Sequence, residues 1–126
     1  LCFFNNAPTG KYYIVLRHRN SLETWSRNGG DSLKQGETVS YDFTNDSTKA
    51  YGSNEIKTGN VYSVYNGDTN QDGTIDASDL SSVENDVSVS ASGYIVTDIN
   101  GDYFADAADL SQVENNSSNS VVLIRP

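Results

Sequence analysis

The apolar positions of the chain follow two different patterns. Across residues 1–65 they form short aromatic and β-branched runs at 1–4, 12–16, 38–43 and 61–65. Turn clusters such as Ala7-Pro8-Thr9-Gly10 and Asn28-Gly29-Gly30-Asp31 separate them, as expected between strands. Four to six short strands in 65 residues predict part of a mainly antiparallel β-sandwich. A complete sandwich takes roughly seven strands. Trp25 is expected in its core. After residue 65 the period changes. Leu80, Val83 and Val87 recur at helical spacing, and Tyr94-Ile95-Val96 reads as a short β segment. The pattern therefore predicts an α+β chain. It has a sandwich-like segment over 1–65, a loop-and-helix segment over 66–120 and a C-terminal strand over 121–126.

The second segment is an internal repeat with an offset of 30 residues. Residues 68–85 laid on 98–115 give eleven identities in eighteen positions, and six of the eleven are Asp or Asn. Polar residues are kept more faithfully than apolar ones, so the repeat preserves ligands rather than a core.

Residues 68–79 place side-chain oxygens at loop positions 1, 3, 5, 9 and 12, from Asp68, Asn70, Asp72, Asp76 and Asp79, with Gly73 at position 6. This is the spacing of an EF-hand calcium loop, with Asp in place of the usual Glu at position 12. Alternate positions of a tightly wound loop point inward. The carbonyl of Thr74 is expected to add a ligand at position 7, and Asp79 to close the shell from the first turn of a helix. Six or seven hard oxygens without His or Cys select Ca2+ over zinc or copper. The second loop keeps every ligand position, with Asp98, Asn100, Asp102, Asp106 and Asp109 and the Phe104 carbonyl at position 7. Tyr103 stands at position 6, where the turn favours positive φ. A non-glycine residue there costs about 1 kcal/mol, so two calcium sites are expected, the second weaker. Each loop is preceded by a β-like run and followed by a helix, which is half an EF-hand. Asn85, Asn115 and Asn116 predict that the exiting helices stop early.

Charge strengthens this expectation. Residues 1–65 carry six acids and seven bases, while residues 66–126 carry eleven acids and Arg125 alone. A segment at −10 repels itself, and two Ca2+ ions would bring it to −6. Metal binding would then contribute folding free energy. The pI near 4.2 and the lack of a basic cluster argue against nucleic acid. No run approaches the 18 apolar residues of a membrane span. The hydrophobic share of 36%, against 40 Ser, Thr and Asn residues, allows only a modest core.

The residues from Gly67-Asp68-Thr69-Asn70-Gln71-Asp72-Gly73 through Asp79-Leu80, and again 98–110, resemble the duplicated calcium loop-helix repeats of type I dockerins. The resemblance covers residues 67–117. It implies docking onto a cohesin partner through the loop-following helices, by position Ala77, Ser78, Ser81 and Ser82 with Ala107, Ala108, Ser111 and Gln112. Residues 11–66, most recognisably 12–26 with Ala50-Tyr51-Gly52-Ser53-Asn54 and the closing Ile124-Arg125-Pro126, resemble a stretch preceding such repeats at the C-termini of large secreted bacterial proteins. That resemblance implies secretion and a surface role, with no catalytic residues.

The remaining signals are weaker. Cys2 is the single cysteine, expected as a small apolar residue in a strand, since one thiol makes no internal disulfide. His18, the sole histidine, is expected to make structural hydrogen bonds, and no Ser-His-acid set accompanies it. The chain is therefore expected to be non-catalytic. Asn45, Asn115 and Asn116 begin N-glycosylation tripeptides, and Ser32 and Ser47 sit in acid-hydroxyl motifs that could carry O-glycans. The opening on Leu1 without Met fits a processed piece of a longer protein, with both ends expected to be docked. Leu1, Cys2, Phe3 and Phe4, with Val121-Val122-Leu123-Ile124 at the far end, suggest that a neighbouring copy completes the sandwich by strand exchange. An extracellular filament or surface-assembly subunit binding other copies of itself is the first expectation. A dockerin-type module anchoring a larger secreted protein to a cohesin-like or surface receptor is the alternative.

Overall fold

A computed structural model describes residues 7–126. Leu1, Cys2, Phe3 and Phe4 lie outside the described residues, and with them the strand expected there. Six short strands and two helices follow in order. They are β1 Gly10–Tyr12, β2 Val15–His18, β3 Ser21–Trp25, β4 Asp31–Leu33, β5 Ile56–Thr58, β6 Val61–Ser63, α1 Ala77–Ser88 and α2 Ala107–Ser118. Two 3-10 turns, Ser47–Lys49 and Tyr51–Ser53, stand between β4 and β5.

The strands make three antiparallel pairs, β1 with β4, β2 with β3 and β5 with β6. The mixed α+β class is as the sequence suggests; two facing sheets are not seen among the described residues. The run 12–16 breaks at Tyr13-Ile14, and its two ends pair with different partners. Residues 38–43 carry strand-like side chains but form no strand, because no ladder reaches them. Val15, Leu16, Ile56 and Val61 remain exposed, and no second layer covers these pairs among the described residues. Trp25 is half-buried beside Tyr13, ring centroids 5.7 Å apart, and Tyr13 meets Tyr51 in turn. This aromatic cluster lies outside the buried core.

The core belongs to the repeats. Ile75, Val83, Ile99, Val113 and Val121 are buried together, with Leu80, Val87, Leu110 and Leu123 packed around them. Leu22 is the buried member contributed by the β segment, helped by Tyr65. Both helices run twelve residues, longer than the asparagines suggest. Asn85 and Asn115 point to solvent, where they cost the helix little. Asn116 is buried, and its amide donates to the Asn66 carbonyl at 2.8 Å. Residues 94–96 form turns rather than a strand, and 121–126 contribute a single bridge, Thr74 to Val122.

The repeats are interleaved. The chain leaving α1 bridges the second loop, Ser92 to Phe104, through Gly93 N to the Tyr103 carbonyl and Ala105 N to the Ala91 carbonyl. The chain leaving α2 bridges the first loop in the same way, through Leu123 N to the Gly73 carbonyl and Ile75 N to the Val121 carbonyl. Each loop is thus closed by the exit of the other repeat's helix.

The β2–β3 turn lies against both loops. The Asn20 carbonyl accepts from Gly67 N at 2.7 Å, and the Tyr65 carbonyl from Leu22 N at 2.8 Å. Gln71 Nε2 donates to the His18 carbonyl at 2.6 Å.

Candidate metal centre

Each loop is built around its last aspartate. Asp79 is fully buried. Its Oδ1 accepts from Thr69 N, Thr69 Oγ1 and Asn70 N, and its Oδ2 from Asp76 N. Asp109 repeats the pattern with Ile99 N, Asn100 N and Asp106 N. Positions 9 and 12 also form the capping box that starts each helix. One spacing therefore closes the loop and nucleates the helix.

The remaining ligand candidates divide by direction. Asp76 and Asp106 are exposed and turn to the amides of Ser78 and Ala108. The Ser78 amide and hydroxyl hold the Asp76 carboxyl below its ordinary value. Asn70 and Asp72 bond each other across the loop mouth, Asn70 Nδ2 to Asp72 Oδ2 at 2.9 Å, as Asn100 and Asp102 do at 3.0 Å. Asp72 Oδ1 accepts from Thr74 N, and Asp102 Oδ1 from Phe104 N. The bridges to Val122 and Ser92 use the flanking residues, so no described hydrogen bond engages the carbonyls of Thr74 and Phe104.

Position 1 separates the loops. Asp68 is buried, Oδ2 accepts from Gly73 N at 3.2 Å, and Oδ1 has no partner among the described residues. Burial, with Asp79 and Asp72 nearby, pushes its pKa up. A buried carboxylate oxygen without a donor is costly unless a cation or proton meets it. A cleft of about 220 Å3 is lined by Asp68, Asp72 and Gly73 together with Arg17, His18 and Arg125. Asp98, also buried, has four donors instead: Gly101 N and Asp102 N on Oδ1, Tyr103 N and Arg19 Nη2 on Oδ2.

Backbone strain is the same in kind in both loops. Positions 4 and 6 both take positive φ in both loops, with Gln71 at 58° and Gly73 at 89°, then Gly101 at 84° and Tyr103 at 76°. Each loop carries one glycine and one strained side chain, in swapped places. The cost of Tyr103 is matched by that of Gln71, so it gives no reason for a weaker second site.

Among the described residues, no three carboxylate, His or Cys side chains gather closely enough to hold a metal by themselves. A cation here would have to draw on mixed carboxylate, amide and backbone oxygens. The unpartnered Asp68 oxygen and the unspent Thr74 carbonyl fit a hard, oxygen-seeking ion such as Ca2+. Such an ion would supply positive charge at the centre of the loop.

The other candidates scatter. Ser32, Asn45 and Asn115 are exposed and Ser47 is half-buried, whereas the Asn116 amide is buried and already bonded. Ser81 and Ser111 are exposed, and each hydroxyl donates to the carbonyl one turn back. Ser82 is half-buried, as is Gln112, whose Oε1 accepts from Asn66 Nδ2 at 2.7 Å. His18 Nδ1 lies 2.9 Å from Asn20 Oδ1. Arg19, Asn20 and Thr69 touch the loops without being ligand candidates. Only Thr69, inside the first loop, could have been suspected from spacing. No described helix is long and apolar enough to cross a membrane.

Residues 66–116 match the family model of the dockerin type I domain, about two fifths of the chain. No curated protein and no solved structure matches it.

Proposed function

We propose, from that dockerin-like module, that residues 66–120 bind two Ca2+ ions. One would be held by Asp68, Asn70, Asp72, Thr74, Asp76 and Asp79, the other by Asp98, Asn100, Asp102, Phe104, Asp106 and Asp109. The chain then serves as a non-catalytic, calcium-stabilised docking module of a secreted or cell-surface protein, with residues 1–65 as a β-rich segment beside it. The unpartnered Asp68 oxygen carries the metal reading, and the family match carries the docking reading. Ala77, Ser78 and Ser81 on α1 and Ala107, Ala108 and Ser111 on α2 are exposed, and they are the contact residues for a cohesin-like receptor. Surface plasmon resonance over immobilised type I cohesins tests this. Binding in calcium that EGTA reverses is expected, and silence across the panel in calcium would refute docking.

One observation favours a second reading, a surface assembly built from copies of this chain. Each strand pair stands as a two-stranded sheet, and such edges accept further strands. Val121, Val122 and Leu123 are less available, because Val121 and Leu123 already bond the first loop and the Val122 carbonyl accepts from Asn54 Nδ2. Sedimentation in calcium separates the readings: polymers for assembly, a single small species for docking.

A further inference from the structure

The two loops share the hydrogen bonds around positions 9 and 12 and their pairs of positive-φ residues, yet position 1 differs. Asp98 accepts from Gly101 N, Asp102 N and Tyr103 N where Asp68 accepts from Gly73 N, and Asp98 also meets a side chain of the β2–β3 turn. Arg19, in the β2–β3 turn, reaches the second loop, where Nη2 lies 3.1 Å from the Asp98 carbonyl and 3.3 Å from Asp98 Oδ2. Its side chain is 18% exposed and that of Asp98 is 3% exposed, so little water screens the pair. The guanidinium rests on the Tyr94 ring, 4.0 Å from its centroid, an arrangement that fixes the cation's position. Beside it, Asn20 Nδ2 donates to the carbonyls of Val96 and Asp98, at 3.0 and 2.8 Å. Among the described residues no cation pairs with Asp68, although Arg17 and Arg125 line the cleft beside it.

We infer that Arg19 is the built-in counter-ion of the second loop, and that it sets the order in which the loops fill by competing with calcium for Asp98. This rests on the calcium reading above. The competition has a simple physical basis. A divalent ion at position 1 needs the carboxylate oxygen that Arg19 now shares with Tyr103 N, and it brings two further positive charges toward a poorly screened guanidinium. The first loop offers Asp68 Oδ1, which has no donor to displace among the described residues. Calcium therefore enters the first loop first, and filling the second requires Arg19 to loosen its hold on Asp98. The β segment thereby acts on a metal site to which it contributes no ligand.

Loop-resolved calcium titration by amide NMR tests this on the full chain. The amides of Gly73 and Gly101 touch the position-1 carboxylates of their own loops, so each reports one site. In the native chain the Gly73 midpoint is expected at lower calcium than the Gly101 midpoint. Arg19→Gln should lower the Gly101 midpoint about tenfold and leave Gly73 nearly unmoved. Arg19→Lys, which keeps the charge, should stay near the native order. A Gly101 midpoint that is unchanged or raised in R19Q overturns the inference while leaving calcium binding intact. If neither glycine responds to calcium in the native chain, the calcium reading itself fails. Should R19Q not fold, Tyr94→Leu removes the ring beneath the guanidinium. A lowered Gly101 midpoint in Y94L then supports the inference, and an unchanged one overturns it.

Discussion

Single side chains in this molecule carry effects that reverse with conditions, and Asp68 is the clearest. Its carboxylate is buried near Asp72 and Asp79 with one oxygen unpartnered. Asp68→Asn should stabilise the chelated protein by about 1 kcal/mol and destabilise it in saturating calcium, as urea unfolding in EGTA and in calcium would show. Glu55 is a second case. It is 7% exposed, and neither carboxylate oxygen has a partner among the described residues. Burial, with Asp42 adding repulsion, raises its pKa from 4.5 to about 7. Between those values the folded chain keeps a proton that the unfolded chain has lost. Stability from this group therefore falls as pH rises through the window and levels off above about pH 7. Glu55→Gln should remove that slope, as denaturation midpoints between pH 4.5 and 8 would show.

At the scale of elements, the loop spacing was readable because it is local: positions 9 and 12 of each loop are also the capping box of its helix. The strands were less readable because pairing is a long-range property. Residues 38–43 have suitable side chains but no ladder, whereas the modest Ser21–Trp25 segment pairs and buries Leu22. The helices run past Asn85, Asn115 and Asn116, where exposure or a partner 50 residues away in sequence, Asn66, outweighs propensity. The crossing of the helix exits was present in the 30-residue offset, since residues 91–93 fall on 121–123, but it surfaced only through the hydrogen bonds. Val83 and Val113 are each fully buried at the helix interface, so Val83→Ala and Val113→Ala should cost similar amounts, about 2 kcal/mol, in chemical denaturation. Tyr103→Gly relieves a positive φ of 76° and should gain about 1 kcal/mol by the same measurement.

At the scale of the whole molecule, the acidic half and the near-neutral half meet along residues 18–22 and 65–71. The charge imbalance of the sequence is answered there in part, by Arg19 on Asp98. Chelation should therefore loosen more than the loops. Hydrogen exchange in EGTA is expected to rise first over residues 67–117 and at the bonded amides of Leu22 and Gly67, while β5 and β6 change last. Early exchange in β5 and β6 would contradict this order.

The exit of α2 has a mechanical consequence. Leu123 lies on Gly73, Asn54 holds the Val122 carbonyl at 3.0 Å, and a side chain added at Gly52 would collide with Ile124 at 2.7 Å. Tension applied at Pro126 would peel this tail from Gly73 and Ile75 before it reached the second loop. The first rupture under load would therefore also open the first loop.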